Sequence, residues 1–179
     1  MLISAYIILS LFCKQTYTTI KTVVMKKGIL LSLVLSLSIP VLVSAQSETE
    51  KVKKEISKTL ESFYSAAQKA STEEIMSLFD TSPNIMFIGG DSAEIWKGAD
   101  KIRGHLNSMF PDVKVTLLME RTDIDYNQNT AWVFADGRII ITPPEGEPMK
   151  APYRFMAILV KKANFWKFTI YNGQNPGSK

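Results

Sequence analysis

The stretch TAWVFADGRIIIT, residues 130–142, decides the fold of this chain. Successive side chains of a β-strand point to opposite faces, and the residues of this stretch separate into two such sets. One set is Ala131, Val133, Ala135 and Gly137, and the other is Trp132, Phe134, Asp136 and Arg138. The stretch therefore predicts a long strand with two chemically different faces.

Further long strands are predicted on both sides of this stretch. The four strands cover residues 113–126, 130–142, 150–162 and 165–172. Tight turns at 127–129 and 163–164 and a Pro-rich loop at 143–148 join them. Because consecutive strands with short links pair antiparallel, we expect one mainly antiparallel sheet.

Helices and a short hairpin are predicted ahead of these strands. The helices cover residues 51–70, 71–79 and 98–110, and the hairpin strands cover 85–88 and 94–96. Apolar residues recur every three or four positions from Val52 to Ala70, which is the period of one helix stripe. Ser71 and Glu74 have capping-box spacing at the start of the second helix. The order α-α-β-β-α-β-β-β-β predicts an α+β fold with helices on one face of the sheet.

The segment before these elements is typical of a secretory signal peptide. Residues 25–27, Met-Lys-Lys, open it, residues 29–43 are almost wholly apolar, and small residues end at Ala45. We expect cleavage after Ala45, an exported single domain at 46–179 in the periplasm or outside the cell, and an upstream start assigned too early at 1–24. Retention of the apolar run as a membrane anchor is the alternative.

Composition excludes several classes of function for residues 46–179. Four of the 21 Lys and Arg residues precede Ala45, which leaves 17 basic residues against 17 acidic ones. A neutral domain gives no argument for binding nucleic acid or an anionic membrane. The only cysteine, Cys13, also precedes Ala45, so a catalytic thiol, a thiolate metal site and a disulfide are excluded. No metal-ligand cluster, phosphate loop or serine-nucleophile motif is visible, and no cofactor is expected.

Several short motifs fall in a recognisable order. They are Phe87-Ile88-Gly89-Gly90-Asp91, Glu94-Ile95-Trp96-Lys97-Gly98, Ile102, Thr130-Ala131-Trp132-Val133, Tyr153-Arg154-Phe155 and Phe165-Trp166-Lys167. With the element order, they resemble the NTF2-like superfamily and its SnoaL-like branch over about residues 50–175. The resemblance implies a cone-shaped α+β barrel, a pocket on the concave face of the sheet and a homodimer through the sheet. Many relatives end the last strand with His, one residue and Ser, where this chain has Asn172-Gly173-Gln174.

The implied pocket directs attention to polar and aromatic residues of the strands. The candidate ligand-binding residues are Trp96, Trp132, Asp136, Arg138, Arg154 and Asn172. Arg154 shares a face with Met156 and Ile158, and we expect that face to line the pocket, with Arg154 as the anchor of an anionic ligand. The alternative is that Asp136 forms a structural ion pair with an arginine across strands. Trp96 has the alternative of packing in the core.

Acid–base chemistry has its own candidates. The candidate catalytic residues are Asp91, Glu94, Asp136, Tyr153 and Tyr171. A carboxylate in a pocket can act as a general base, and a tyrosine can donate to a developing oxyanion. The structural alternatives are a turn former for Asp91, a rim charge for Glu94 and ordinary packing for the tyrosines. His105, the only histidine, is expected to be on the surface or half-buried.

Three functions stay open. The leading hypothesis is an exported SnoaL-like domain that binds a small apolar or aromatic ligand. Its resemblance to relatives implies a homodimer, and we expect no contact with nucleic acid or, after cleavage, with a membrane. The second is a cofactor-free isomerase, cyclase or dehydratase with a pocket carboxylate as base. The third is a protein-interaction module that uses the outer face of the sheet.

Overall fold

The computed structural model describes residues 48–91 and 93–177. The predicted leader and its cleavage site lie outside these residues, so export and cleavage stay predictions. No helix within the described ranges is both long enough and apolar enough to span a membrane. From Lys51 onward, the described chain folds as one unit.

Three helices are found within the described residues. Helix α1 covers residues 48–68, α2 covers Thr72–Leu78 and α3 covers Ala99–Met109. The predicted stripe of α1 is buried, with Ile56 at 0% and Leu60 at 3% exposure. The Ser71 hydroxyl accepts a hydrogen bond from the backbone N–H of Glu74 at 3.4 Å, as the capping-box spacing predicts.

Six strands form one sheet. They are β1 (Met86–Ile88), β2 (Ile95–Lys97), β3 (Lys114–Asn127), β4 (Thr130–Thr142), β5 (Met149–Lys162) and β6 (Phe165–Gln174). Their order in the sheet is β2-β1-β6-β5-β4-β3, and every neighbouring pair is antiparallel except β1 with β6. The predicted α+β fold and element order are confirmed. The parallel pair, which the sequence did not indicate, places Phe87 beside Tyr171.

The core lies against the face of β4 that carries its small residues. Ala131, Val133 and Ala135 are at most 1% exposed. Large aromatic side chains from other elements fill the space above them, and the ring of Phe63 on α1 lies 4.9 Å from that of Tyr171 on β6. The small residues of β4 thus leave room for rings that α1 and β6 supply.

A β-bulge divides β3 into two parts. The pairing with β4 shifts register between Met119 and Arg121. Because side chains alternate with period two, the extra residue changes the inward-facing positions from odd numbers before the bulge to even numbers after it. Gly137 lies opposite Met119, and a Cβ at this position would overlap the backbone carbonyl oxygen of Leu118.

We therefore expect Gly137→Ala to lower the free energy of unfolding by about 1–3 kcal/mol, since backbone cannot yield as a flexible side chain can. The matched control is Gly104→Ala in α3, where an added Cβ meets nothing within 4 Å. That change should raise the free energy of unfolding by about 0.5–1 kcal/mol through helix propensity. Urea unfolding of both variants measures the difference, and effects of the same sign would contradict it.

Candidate functional site

A cavity of about 360 Å³ opens on the core side of the sheet, beside the β1–β2 hairpin and α3. Most of its wall is apolar, with Phe63, Phe87, Leu106 and Met109 among the contributors. Polar side chains contribute a minority of the wall: Glu94, His105, Tyr153, Tyr171, Gln174 and Asn175. An apolar cavity with a few polar groups is the usual form of a small-molecule site.

The structure brings four of the predicted site residues to this cavity. They are Glu94, Trp96, Tyr153 and Tyr171. Asp91 lies in the hairpin turn, where its carboxylate accepts a hydrogen bond from the backbone N–H of Ala93 at 3.1 Å. That contact fits the turn-forming alternative for Asp91.

The predicted ligand-binding residues include Asp136, Arg138 and Arg154, but none of these three lines the cavity. Asp136 and Arg154 are cross-strand partners, and Arg154 Nη2 lies 3.2 Å from Asp136 Oδ1 with both side chains 44% exposed. Arg138 pairs with Glu120 at 3.1 Å, also on exposed side chains. Since the alanine face of β4 packs in the core, period-two alternation turns this set outward. Asp136 thus forms a structural ion pair with Arg154 across strands, which is the alternative that the sequence analysis left open.

Two further predicted ligand-binding residues also lie away from the cavity wall. Trp132 shares the outward face of β4 and is 46% exposed. Asn172 alternates with Tyr171 and Gly173, which do line the cavity. Its side-chain oxygen instead accepts a hydrogen bond from Gln174 Nε2 at 3.5 Å. Arg154 also lies on the outer face, where it pairs with Asp136. The hypothesis that Arg154 holds an anionic ligand in the pocket therefore has no geometric basis.

Glu94 reaches the cavity from the hairpin together with Trp96. Residues two apart on an extended chain share a face, and the intervening Ile95 points away and is 56% exposed. One carboxylate oxygen of Glu94 accepts a hydrogen bond from the backbone N–H of Asp91 at 3.2 Å. This bond holds the carboxylate beside the cavity.

The hydroxyls of Tyr153 and Tyr171 lie 2.9 Å apart and share a hydrogen bond. Burial raises the pKa of Tyr171 well above its ordinary value. Burial also raises the pKa of Tyr153 to about 12; the hydrogen bond to Tyr171 opposes this rise and the charge of Glu94 adds to it. Both phenols are therefore protonated at neutral pH. Gly173 permits the pair, because a Cβ there would overlap the Tyr153 hydroxyl.

His105 is a cavity residue that the sequence analysis did not single out for function. Its imidazole stacks on the Trp96 indole, with centroids 3.5 Å apart and planes 14° apart. Burial lowers the pKa of His105, and the charge of Glu94 acts in the opposite direction. The one sequence signal was its place beside Leu106 at the edge of the buried stripe of α3.

The wall can therefore supply a carboxylate, a neutral imidazole and a phenol donor to one bound molecule. No group of three or more His, Cys, Asp or Glu side chains is placed to hold a metal ion within residues 48–91 and 93–177. Hydrogen bonding and proton transfer are the chemistry that these groups offer.

Residues 56–173 match the family described as the SnoaL-like domain. The chain belongs to this family. The match runs from within α1 into β6 and includes most residues of the cavity wall, so the predicted resemblance is confirmed. A search of curated proteins found no significant match to the chain.

Solved structures share the fold of this SnoaL-like domain at low identity. A candidate dehydratase of the NTF2-like family from Streptomyces avermitilis has a TM-score of 0.66 at 12% identity, over 72% of this chain and 99% of its own. An NTF2-like superfamily protein from Salmonella enterica serovar Typhimurium gives 0.65 at 21%, over 73% and 95%. A ketosteroid isomerase-like protein from Erwinia carotovora atroseptica gives 0.56 at 17%, over 70% and 96%.

We expect the single histidine of this SnoaL-like domain to titrate below the ordinary histidine pKa of 6.5. Glu94→Gln should lower the pKa of His105 further, because it removes the negative charge that favours the imidazolium. NMR titration of the imidazole in tag-free protein measures both values. Glu120→Gln, a change on the outer face, is the control and should leave the pKa unchanged.

The same shift sets a direction for stability. A lower pKa in the folded state means that the unfolded state binds more protons in this range, so stability rises with pH. The contribution is fully present above pH 6.5 and is lost as the pH falls through the folded-state pKa. A His105 pKa above 6.5 would overturn both expectations.

Proposed function

We propose that this SnoaL-like domain binds a small, largely apolar or aromatic molecule in the cavity beside the β1–β2 hairpin. The observation that carries the proposal is a cavity of about 360 Å³ with mainly apolar walls and its polar side chains in the minority. Ligand pockets are typically about 300–1,000 Å³, so this volume suits a compact molecule of a few rings.

Affinity would come from removing apolar surface from water, at roughly 25 cal/mol per Å². Leu106, Met109 and Phe110 supply such surface on the α3 side, and Ile139 supplies it from β4. The Tyr153 hydroxyl would set the orientation of the ligand, since it stays protonated at neutral pH and can donate to a ligand acceptor. A few placed polar groups within an apolar wall are the usual source of specificity.

A cavity-filling variant tests this function. Ala151 lines the cavity from β5, so Ala151→Phe should place a ring where the ligand lies and weaken binding by about tenfold or more. Met156→Phe is the matched control, because Met156 is 60% exposed on the outer face of the same strand. Thermal shift against a library of apolar and aromatic compounds gives the readout. The proposal is lost if no compound stabilises the wild-type protein, or if both variants bind equally well.

A second candidate function is cofactor-free acid–base catalysis. The observation that favours it is that Glu94 and Tyr153 line the same cavity, close enough for the charge of Glu94 to raise the pKa of Tyr153. Glu94 would take a proton from the carbon next to a ligand carbonyl, and Tyr153 would donate a hydrogen bond to the resulting enolate oxygen. The proton returned by Glu94 to another carbon would complete an isomerisation.

Proton exchange tests the catalytic candidate without knowledge of the natural substrate. The wild-type protein should accelerate exchange of the α-protons of 2-tetralone in D₂O, followed by NMR. Glu94→Gln should slow this exchange by about 10²–10⁴-fold and Tyr153→Phe by about 10²-fold or more. Glu120→Gln should retain the wild-type rate. Exchange no faster than in buffer would leave ligand binding as the function of the cavity.

A further inference from the structure

The cavity wall carries formal charge of one sign, which is negative. Among the described residues that line it, Glu94 is the single one with a formal charge at neutral pH, and neither lysine nor arginine is present. His105 is neutral there because burial lowers its pKa, and Tyr153 is protonated because burial raises its pKa to about 12. An apolar space with one carboxylate presents a negative potential to any ligand.

Three cationic side chains of the sheet lie outside the cavity. Arg154 and Arg138 are engaged with acidic partners on the outer face. Lys97 alternates with Trp96 on β2 and is exposed on the opposite side of the hairpin. Within the described part of the chain, none of the ion pairs includes Glu94. The half-buried Glu94 carboxylate accepts a backbone hydrogen bond but has no cationic partner among the described residues, and a ligand ammonium group would supply one.

Aromatic rings stand next to this carboxylate. The indole of Trp96 and the ring of Phe87 lie 5.9 Å apart with their planes at 57°, and the imidazole of His105 packs against both, 3.5 Å from the indole and 5.8 Å from the Phe87 ring. Glu94 lies two residues before Trp96 and faces the same cavity. This aromatic wall keeps water away from the carboxylate, which strengthens its attraction for an ammonium group.

We propose that the ligand of this cavity is an apolar amine in its protonated form. The ammonium group lies beside the Glu94 carboxylate on the cavity side of the ring cluster of Trp96, Phe87 and His105, and the apolar body lies against Met109 and Ile139. This inference rests on the proposed binding function and names its ligand class. The same arrangement rejects a carboxylate of equal shape, because like charges repel most strongly where water is excluded.

Three naphthyl probes of similar size and different charge test the ligand class. They are 1-naphthylmethylamine, 1-naphthylmethanol and 1-naphthoate, measured by calorimetry with the full domain at pH 7. The amine should bind at least about tenfold tighter than the alcohol, and naphthoate should bind more weakly than both. Glu94→Gln should reduce the preference for the amine over the alcohol to about threefold or less and should strengthen naphthoate binding. Glu94→Asp, which keeps the charge, should keep the order of the three probes, as should Glu120→Gln on the outer face.

The outcomes distinguish the ligand class from the binding function. Equal binding of amine and alcohol, or tighter binding of naphthoate, overturns the amine proposal and leaves small-molecule binding standing. An amine preference that survives in Glu94→Gln also overturns it, provided that the variant unfolds at the wild-type temperature. Absence of binding by all three probes overturns the amine proposal, and if no library compound stabilises the protein either, the proposed function fails with it.

Discussion

The parallel pairing of β1 with β6 is the constraint on which the site depends. It sets Phe87 beside Tyr171, and the two rings stack with centroids 4.9 Å apart. The antiparallel turn back from β1 to β2 then carries Glu94 and Trp96 to the same side. A hairpin with two strands of three residues is too short to be stable alone, so its position comes from the long strand that it joins.

Ring packing transmits that constraint to the polar groups. Tyr171 is in contact with Phe63 and Phe155 as well as Phe87, so its hydroxyl has a fixed place from which it bonds to Tyr153. On the other side of the cavity, His105 is held flat on Trp96. Side chains locked by packing position polar groups precisely, which binding and catalysis both require.

Much of the fold could be predicted from local patterns, because the period of apolar residues and the turn residues reflect the elements themselves. The stripe of α1, the cap at Ser71 and the four long strands followed directly from them. The face of β4 that packs in the core did not, because alternation shows two faces without saying which is buried. Trp132 was predicted to bind a ligand, yet the core lies on the alanine face of β4 and contains rings from α1 and β6.

Single residues of the site could be predicted from the sequence, but the contacts between elements could not. Glu94 and Trp96 were found because both belong to the hairpin, which the sequence identifies by its Gly-Gly-Asp turn. The stack of His105 on Trp96 joins a helix and an edge strand, and the Tyr153–Tyr171 bond joins two strands at a register that only the folded sheet fixes. Contacts of this kind depend on how separate elements are placed in the folded protein, and local sequence patterns do not show that placement.

The bulge in β3 makes the length of that strand as important as its composition. Before the bulge, Val115 and Leu117 belong to the cavity wall, and after it Ile124 packs against the core. The inward-facing residues have odd numbers before the bulge and even numbers after it, because Glu120 is one residue more than the pairing with β4 uses. Deleting Glu120 would keep every other pair with β4 in register, so Ile124 would still face inward and the strand would lose only its bulge. Loss of one residue should therefore be tolerated at Glu120, whereas loss of a residue in a regularly paired part of β3 turns the residues beyond it to the opposite face.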